Sequence, residues 1–418
     1  MPLDSLAVST QVRQMGELLV SRRAEEERRL KLAQQILADQ ADRWQELAAF
    51  AETTRDRVAV PTGPLDERIP APPRMASYTA LATDGSEIDP DRHGPGGNFF
   101  VINIGLARIP YGQPGREVLL RSVSRLGYTD EELFIVDPGN PRRQVPVRDR
   151  HLDAQRTVDE LRALADLAET EVAQHGDMPI VALVDGTLLF SVLEERPQDF
   201  LRQHFYSEYV AQLDRLRQAD VALAAYASRT RGADLMSLLR ALCGGDPATC
   251  TMCEARQTKM FAPGEDGRRG DKSAARPAPL HATCPLRGIT DAQVLGRGLR
   301  QWDRSALLRV RSNVHDPFYG EHRVYFFLLD TGAEVARVEL PEWVARDRRK
   351  LGWVHSALVD QCEKGFGYPA VLARADDRAV LSSSDRVVLD GLVRQELARR
   401  GVLATPSAKL GRKQVRTV

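Results

Sequence analysis

Lysine is scarce in this chain of 418 residues: seven lysines stand against 51 arginines. Neither sign of charge is in excess, since 58 basic side chains face 58 acidic ones and the formal net charge is zero. That balance excludes a histone-like wrapper that grips nucleic acid by bulk positive charge. Guanidinium is a rigid fork suited to carboxylates and phosphates, so a neutral total can still conceal a phosphate-binding groove. Codon bias with surface ion pairs is the plainer alternative. No run of about 18 uncharged apolar residues occurs, and the N-terminus lacks a basic start followed by an apolar stretch. A soluble cytoplasmic protein with no membrane contact is therefore expected. The five cysteines (243, 250, 253, 284 and 362) are an odd number, which favours metal binding or free thiols over a disulfide framework. GRRGDKS (267–273) lacks the adjacent Gly-Lys pair of a P-loop, so the chain should not hydrolyse ATP. There is no G-x-S-x-G elbow either, which argues against a Ser-His-Asp hydrolase.

With 43% hydrophobic residues, the chain can bury a sizeable core. Residues 1–60 read as an N-terminal helical region, with apolar positions such as Leu30, Leu37, Leu47 and Phe50 at roughly helical spacing. A Pro-rich linker is expected at 61–75. Three strand-like runs follow (Tyr78–Thr83, Phe99–Ile109, Glu117–Ser124), then a helix over Asp149–Gln174 and a buried strand at 179–187. Helices are expected at 197–218 and 233–243. Residues 76–242 make the first part of the core, 243–290 a cysteine-bearing insertion, 291–400 its C-terminal part, and 401–418 a basic tail.

Two aspartates stand in matching contexts, Asp84 in LATDGSEID and Asp185 in ALVDGTLLF. Each is expected at the C-terminal end of a strand, with a glycine that turns the chain away and a hydroxyl (Ser86, Thr187) two residues on. Strand with Asp, two strands, helix, then strand with Asp is the order of an RNase H-like core, an α/β fold with a mixed central sheet. Its first and fourth strands are neighbours, so Asp84 and Asp185 can share ions. The helix should add an acid, with Asp153, Asp159 and Glu160 as candidates. Clustered carboxylates suit manganese or magnesium. Two such ions about 4 Å apart would activate a water and stabilise the leaving oxygen of a phosphodiester.

Five segments in order, TDGS, LVDGTLLF, AAYASRTRGADLMSLLRALC (224–243), VYFFLLDTGAEVARVELPEWVA (324–345) and GYPAVLARADDRAVL (367–381), resemble the NurA family of prokaryotic DNA-end-processing nucleases, in its longer bacterial form. The resemblance covers roughly residues 76–400. It implies an RNase H-like nuclease dependent on manganese or magnesium, acting as a homodimer with a hexameric HerA-type ATPase in the resection of DNA breaks. Family activities include 5′ to 3′ exonuclease and single-strand endonuclease action. The metal-binding acids carry over to Asp84, Glu160 and Asp185, the basic residue to Arg229 (with Arg231 beside it), and a helical tyrosine loosely to Tyr209. One departure stands out: Asp376 occupies the place where the family carries a histidine. Asp376 is then either a replacement metal ligand or the mark of a weakened, scaffold-like member that recruits an ATPase.

Cys250 and Cys253, with Cys243 before and Cys284 after, match the ligand count of a structural zinc site or an iron–sulfur cluster. His281 is a possible substitute for Cys243, and a zinc-stabilised nucleic-acid binder is the rival reading. Cys362 lies in a helical stretch and reads as core.

Overall fold

The computed structural model describes residues 4–54, 56–89, 99–190, 199–242, 284 and 286–402. The chain forms two compact units, each assembled from several segments. Unit 1 comprises residues 1–70, 228–313 and 325–337, and unit 2 comprises residues 71–227, 314–324 and 338–418.

Unit 2 holds a five-strand sheet of β1 (Tyr78–Ile88), β2 (Phe100–Tyr111), β3 (Leu119–Gly127), β4 (Ile180–Asp185) and β5 (Ala222–Ala227). β1, β2 and β3 form an antiparallel meander, whereas β4 runs parallel to β1 and β5 parallel to β4. The order β3-β2-β1-β4-β5 is that of an RNase H-like core, as the order of elements in the sequence implies. The parallel strands IVALVD and ALAAYA are continuously apolar because both their faces are covered.

Three helices bear on the site: α1 (Arg150–His175), α2 (Asp199–Gln218) and α3 (Ala370–Ala379). α1 buries Leu152, Val158, Leu161, Leu164, Ala165 and Ala168, an apolar stripe at helical spacing. Side chains alternate along β1, and the alternation separates the two helices that pack on it. Thr83 Oγ1 donates to the Glu160 carbonyl of α1, and Ser86 Oγ donates to the Ala379 carbonyl of α3. α1 and α3 therefore lie on opposite faces of the sheet. The hairpin Phe134–Asp137 with Asn140–Pro146 is absent from the sequence-based expectation, because its second strand, NPRRQVP, is exposed along most of its length and carries two prolines.

Unit 1 contains the helix Ser5–Gln40, capped by Asp4, whose side chain accepts from the Ala7 N–H, and the shorter helix Trp44–Thr53. Its sheet pairs Val58–Pro61 with Leu308–Arg311, and the latter with Val324–Asp330, all antiparallel. The segment expected to be a linker is more built than its composition implies. Leu65 is buried, and Arg68–Ile69 pairs with Arg304–Ser305. Most of the expected insertion, 243–283 and 285, lies outside the described residues, as does 403–418 of the expected tail. Among the described residues, no helix is long and apolar enough to cross a membrane.

Candidate active site

The two Asp-Gly pairs differ in structure. Gly186, at φ +85°, does turn the chain out of β4, with its N–H donating to the Tyr226 carbonyl at 2.9 Å. Asp84 is not at a strand end: β1 continues to Ile88, and Gly85 pairs with Ile104 across the sheet. The glycine at 85 serves close approach instead, since a Cβ there would meet Glu160 Oε1 at 2.4 Å. Nor do the two hydroxyls face an open site, because Ser86 is spent on the Ala379 carbonyl and Thr187 donates to Glu339 Oε2 at 2.6 Å.

Register places the two aspartates together. Thr83 pairs with Val184, the last pair of the parallel ladder, and Asp84 and Asp185 are one residue beyond it on adjacent strands. β4 stops at Asp185 while β1 runs on, so the sheet has a step here. A cavity of about 270 Å³ opens at this step, lined by Asp84, Asp153, Arg156, Glu160, Asp185 and Tyr209 among others.

Asp376 arrives from α3. Gly105, paired with Asp84 across the sheet, lets that helix sit down on the strand, for a Cβ at 105 would fall 2.0 Å from the Ala375 carbonyl oxygen. The C-terminal carbonyls of α3 are capped by the sheet itself. Asn103 donates to the carbonyls of Arg378 and Ala379 at 3.1 and 2.7 Å, and Ser122 donates to Arg378 at 2.7 Å. Held in this way, Asp376 lies within hydrogen-bonding reach of Asp84.

Burial pushes the Asp84 carboxyl up to about 6, helped by the Asp376 and Asp185 charges and opposed by the Gly85 N–H. Burial likewise raises Asp185, against the hydrogen bond that Tyr368 donates to its Oδ1 at 2.9 Å. Glu160 is pushed up to about 7 by burial, despite Arg156 beside it. Among the described residues, no three acids, imidazoles or thiols already stand as a ready metal cage. The donors at the step still fit a hard divalent cation in kind. They are oxygen-only and crowded, and burial raises Asp84 and Asp185 as it does carboxyls that no cation neutralises.

Asp159 is on α1 but paired with Arg125 at 2.8 Å and with Arg162. Tyr209 is a wall rather than a reactive group. Its hydroxyl donates to the Leu188 carbonyl at 3.1 Å, and burial holds its pKa well above that of free tyrosine. Arg229 and Arg231 belong to unit 1, where Arg229 is exposed, at φ 45°, and its backbone N–H donates to Glu334 at 2.9 Å. Cys243, Cys250, Cys253 and His281 lie outside the described residues, Cys284 is a half-buried free thiol, and Cys362 is fully buried as core.

Three residues carry more than the sequence disclosed. Arg156 stands inside the cavity wall, Tyr368 orients Asp185, and Glu339 fixes the turn after β4 by accepting from Thr187 and the Leu188 N–H at 2.8 Å. Tyr368 and Glu339 sit inside the segments GYPAVL and VELPEW, which was the available signal; Arg156 had only its helical spacing to Glu160.

The NurA domain profile matches residues 78–381. No curated protein matches the chain. A crystal structure of NurA is 11% identical, covers 92% of this chain and 97% of its own, and has a TM-score of 0.39. A NurA bound to dAMP and manganese is 12% identical, with 78% and 90% coverage and a TM-score of 0.38. A NurA with manganese is 11% identical, with 79% and 90% coverage and a TM-score of 0.36.

Proposed function

Because the chain belongs to the NurA family, we propose that it is a deoxyribonuclease dependent on manganese or magnesium. The observation that carries this reading is the meeting of Asp84, Asp185 and Asp376, from two strands and a helix, at one step of the sheet. These three would hold the divalent ion. When bound, such an ion lowers the pKa of a water and stabilises the leaving oxygen of a phosphodiester.

The chain's own residues prepare that site. Tyr368 keeps one Asp185 oxygen oriented. Asn103, Ser86 and Ser122 fix the end of α3 and with it the position of Asp376. Glu339 and Tyr209 hold the Thr187–Leu188 turn, the wall on the other side. Nothing in this arrangement reads a base, so cleavage should be indifferent to sequence.

Family membership supports the finer parts of the reading. These are 5′ to 3′ exonuclease and single-strand endonuclease action, a homodimer, and a HerA-type translocase delivering DNA in cytoplasmic end resection or defence against phage. The test is cleavage of end-labelled DNA with manganese. Wild type should cut, and Asp84→Ala should lose at least a hundredfold in rate. Equal cleavage by both proteins would sink the proposal.

A further inference from the structure

Arg156 sits where carboxylates would otherwise crowd a second cation. Its Nη1 donates to Glu160 Oε1 and its Nη2 to Asp153 Oδ1, while its Nε lies 2.7 Å from Glu87 Oε2. Asp153, Arg156 and Glu160 share one face of α1 by their spacing, and Glu87 comes from β1. The arginine is about four-fifths buried, and Glu160 nine-tenths. A second feature shows the pair to be built in. A Cβ at Gly85 would strike Glu160 Oε1 and also Arg156 Cγ, at 2.9 Å, so the strand is left bare where the two side chains lie on it.

The acids in and beside the cavity thus divide in two. Among the described residues no cation pairs with Asp84, Asp185 or Asp376, whereas Glu160, Asp153 and Glu87 converge on one guanidinium. Arginine cannot give up its charge in a protein, and both Nη groups here already donate to carboxylates. A divalent ion approaching Glu160 would meet like charge at short range in a poorly hydrated site, and would have to displace a partly buried ion pair.

We infer that Arg156 is the site's fixed second cation, so that each chain binds one divalent ion, at Asp84, Asp185 and Asp376, and not two. This rests on the nuclease reading but is tested apart from it. Metal-stripped full-length protein would be equilibrated with manganese by dialysis, and bound manganese counted by elemental analysis. Wild type should bind one ion per chain. Arg156→Gln should rise to two, as Glu160, Asp153 and Glu87 lose their counter-ion, and Arg156→Lys should remain at one. Two ions on the wild type would overturn the inference whether or not any variant folds. So would Arg156→Gln staying at one with a wild-type circular dichroism spectrum. If wild type binds two ions and still cuts DNA, only this inference falls. Failure to bind any ion or to cut DNA removes the nuclease reading with it.

Discussion

Glu171 shows how much a single buried acid can contribute away from the site. Its carboxylate, 1% exposed, accepts from Arg116 at 2.8 and 2.9 Å, from Arg108 at 3.4 Å and from Thr79 at 2.8 Å. Burial alone would raise its pKa, but the Arg116 and Thr79 hydrogen bonds and the two arginine charges hold it below the usual range. A depressed folded pKa means stability that is present above the unfolded value of about 4.3 and is lost as pH falls through the folded one. Glu171→Gln should therefore cost about 3 kcal/mol at pH 7, since two partly buried guanidinium groups lose their charged partner. Urea melts should show that deficit shrinking towards pH 3; a constant deficit would mean the loss is one of packing.

At the scale of the element, α3 matters more than its ten residues suggest. It carries Asp376 to Asp84, and its last carbonyls are satisfied by side chains of β1, β2 and β3 rather than by a glycine cap. Asn103→Ala removes two of these bonds, so a loss of about 1–2 kcal/mol is expected. Because the strand beneath Asp84 is untouched, manganese affinity should fall at least threefold while the bulk fold persists. Calorimetric titration with manganese against an unchanged far-ultraviolet spectrum would check this. Gly105→Ala should do worse, since its Cβ cannot coexist with the Ala375 carbonyl in place.

For the whole molecule, raised carboxyls in both units, Asp84 and Glu160 in unit 2 and Asp291 in unit 1, should make it less stable as pH rises through neutrality. In unit 1, Asp291 is 1% exposed and accepts from the Leu235 and Met236 N–H groups at 3.1 and 3.0 Å. Burial, with Asp234 nearby, pushes it up to about 7. A raised carboxyl favours the protonated folded state, so its contribution is whole below the unfolded value of about 3.9 and is lost as pH rises through 7. Unit 1 should thus melt at lower temperature at pH 8 than at pH 5. Asp291→Asn should flatten that dependence at a constant cost of about 1 kcal/mol, because an amide oxygen accepts less well than a carboxylate. Scanning calorimetry at the two pH values would decide it; an Asp291→Asn slope equal to wild type would assign the dependence elsewhere.

Local sequence determined β1 to β4 with α1 and α2, their order, and the presence of Asp84 and Asp185 at strand level. Hydrophobic runs and turn residues act between near neighbours and can be read from them. Composition also excluded a protein that holds DNA by bulk charge. What only the tertiary structure decided was which acids meet. Asp159 and Glu160 are adjacent on one helix, yet the rotation of α1 against β1 sends Glu160 to the cavity and Asp159 to Arg125. The same packing decided that Asp84 lies mid-strand, that Ser86 and Thr187 serve the scaffold, and that Arg156 is a buried counter-ion. Each depends on partners 71 to 293 residues away, such as Gly85 with Arg156, Thr187 with Glu339 and Ser86 with Ala379. Such contacts form only once register and helix docking are set, and no local pattern encodes them.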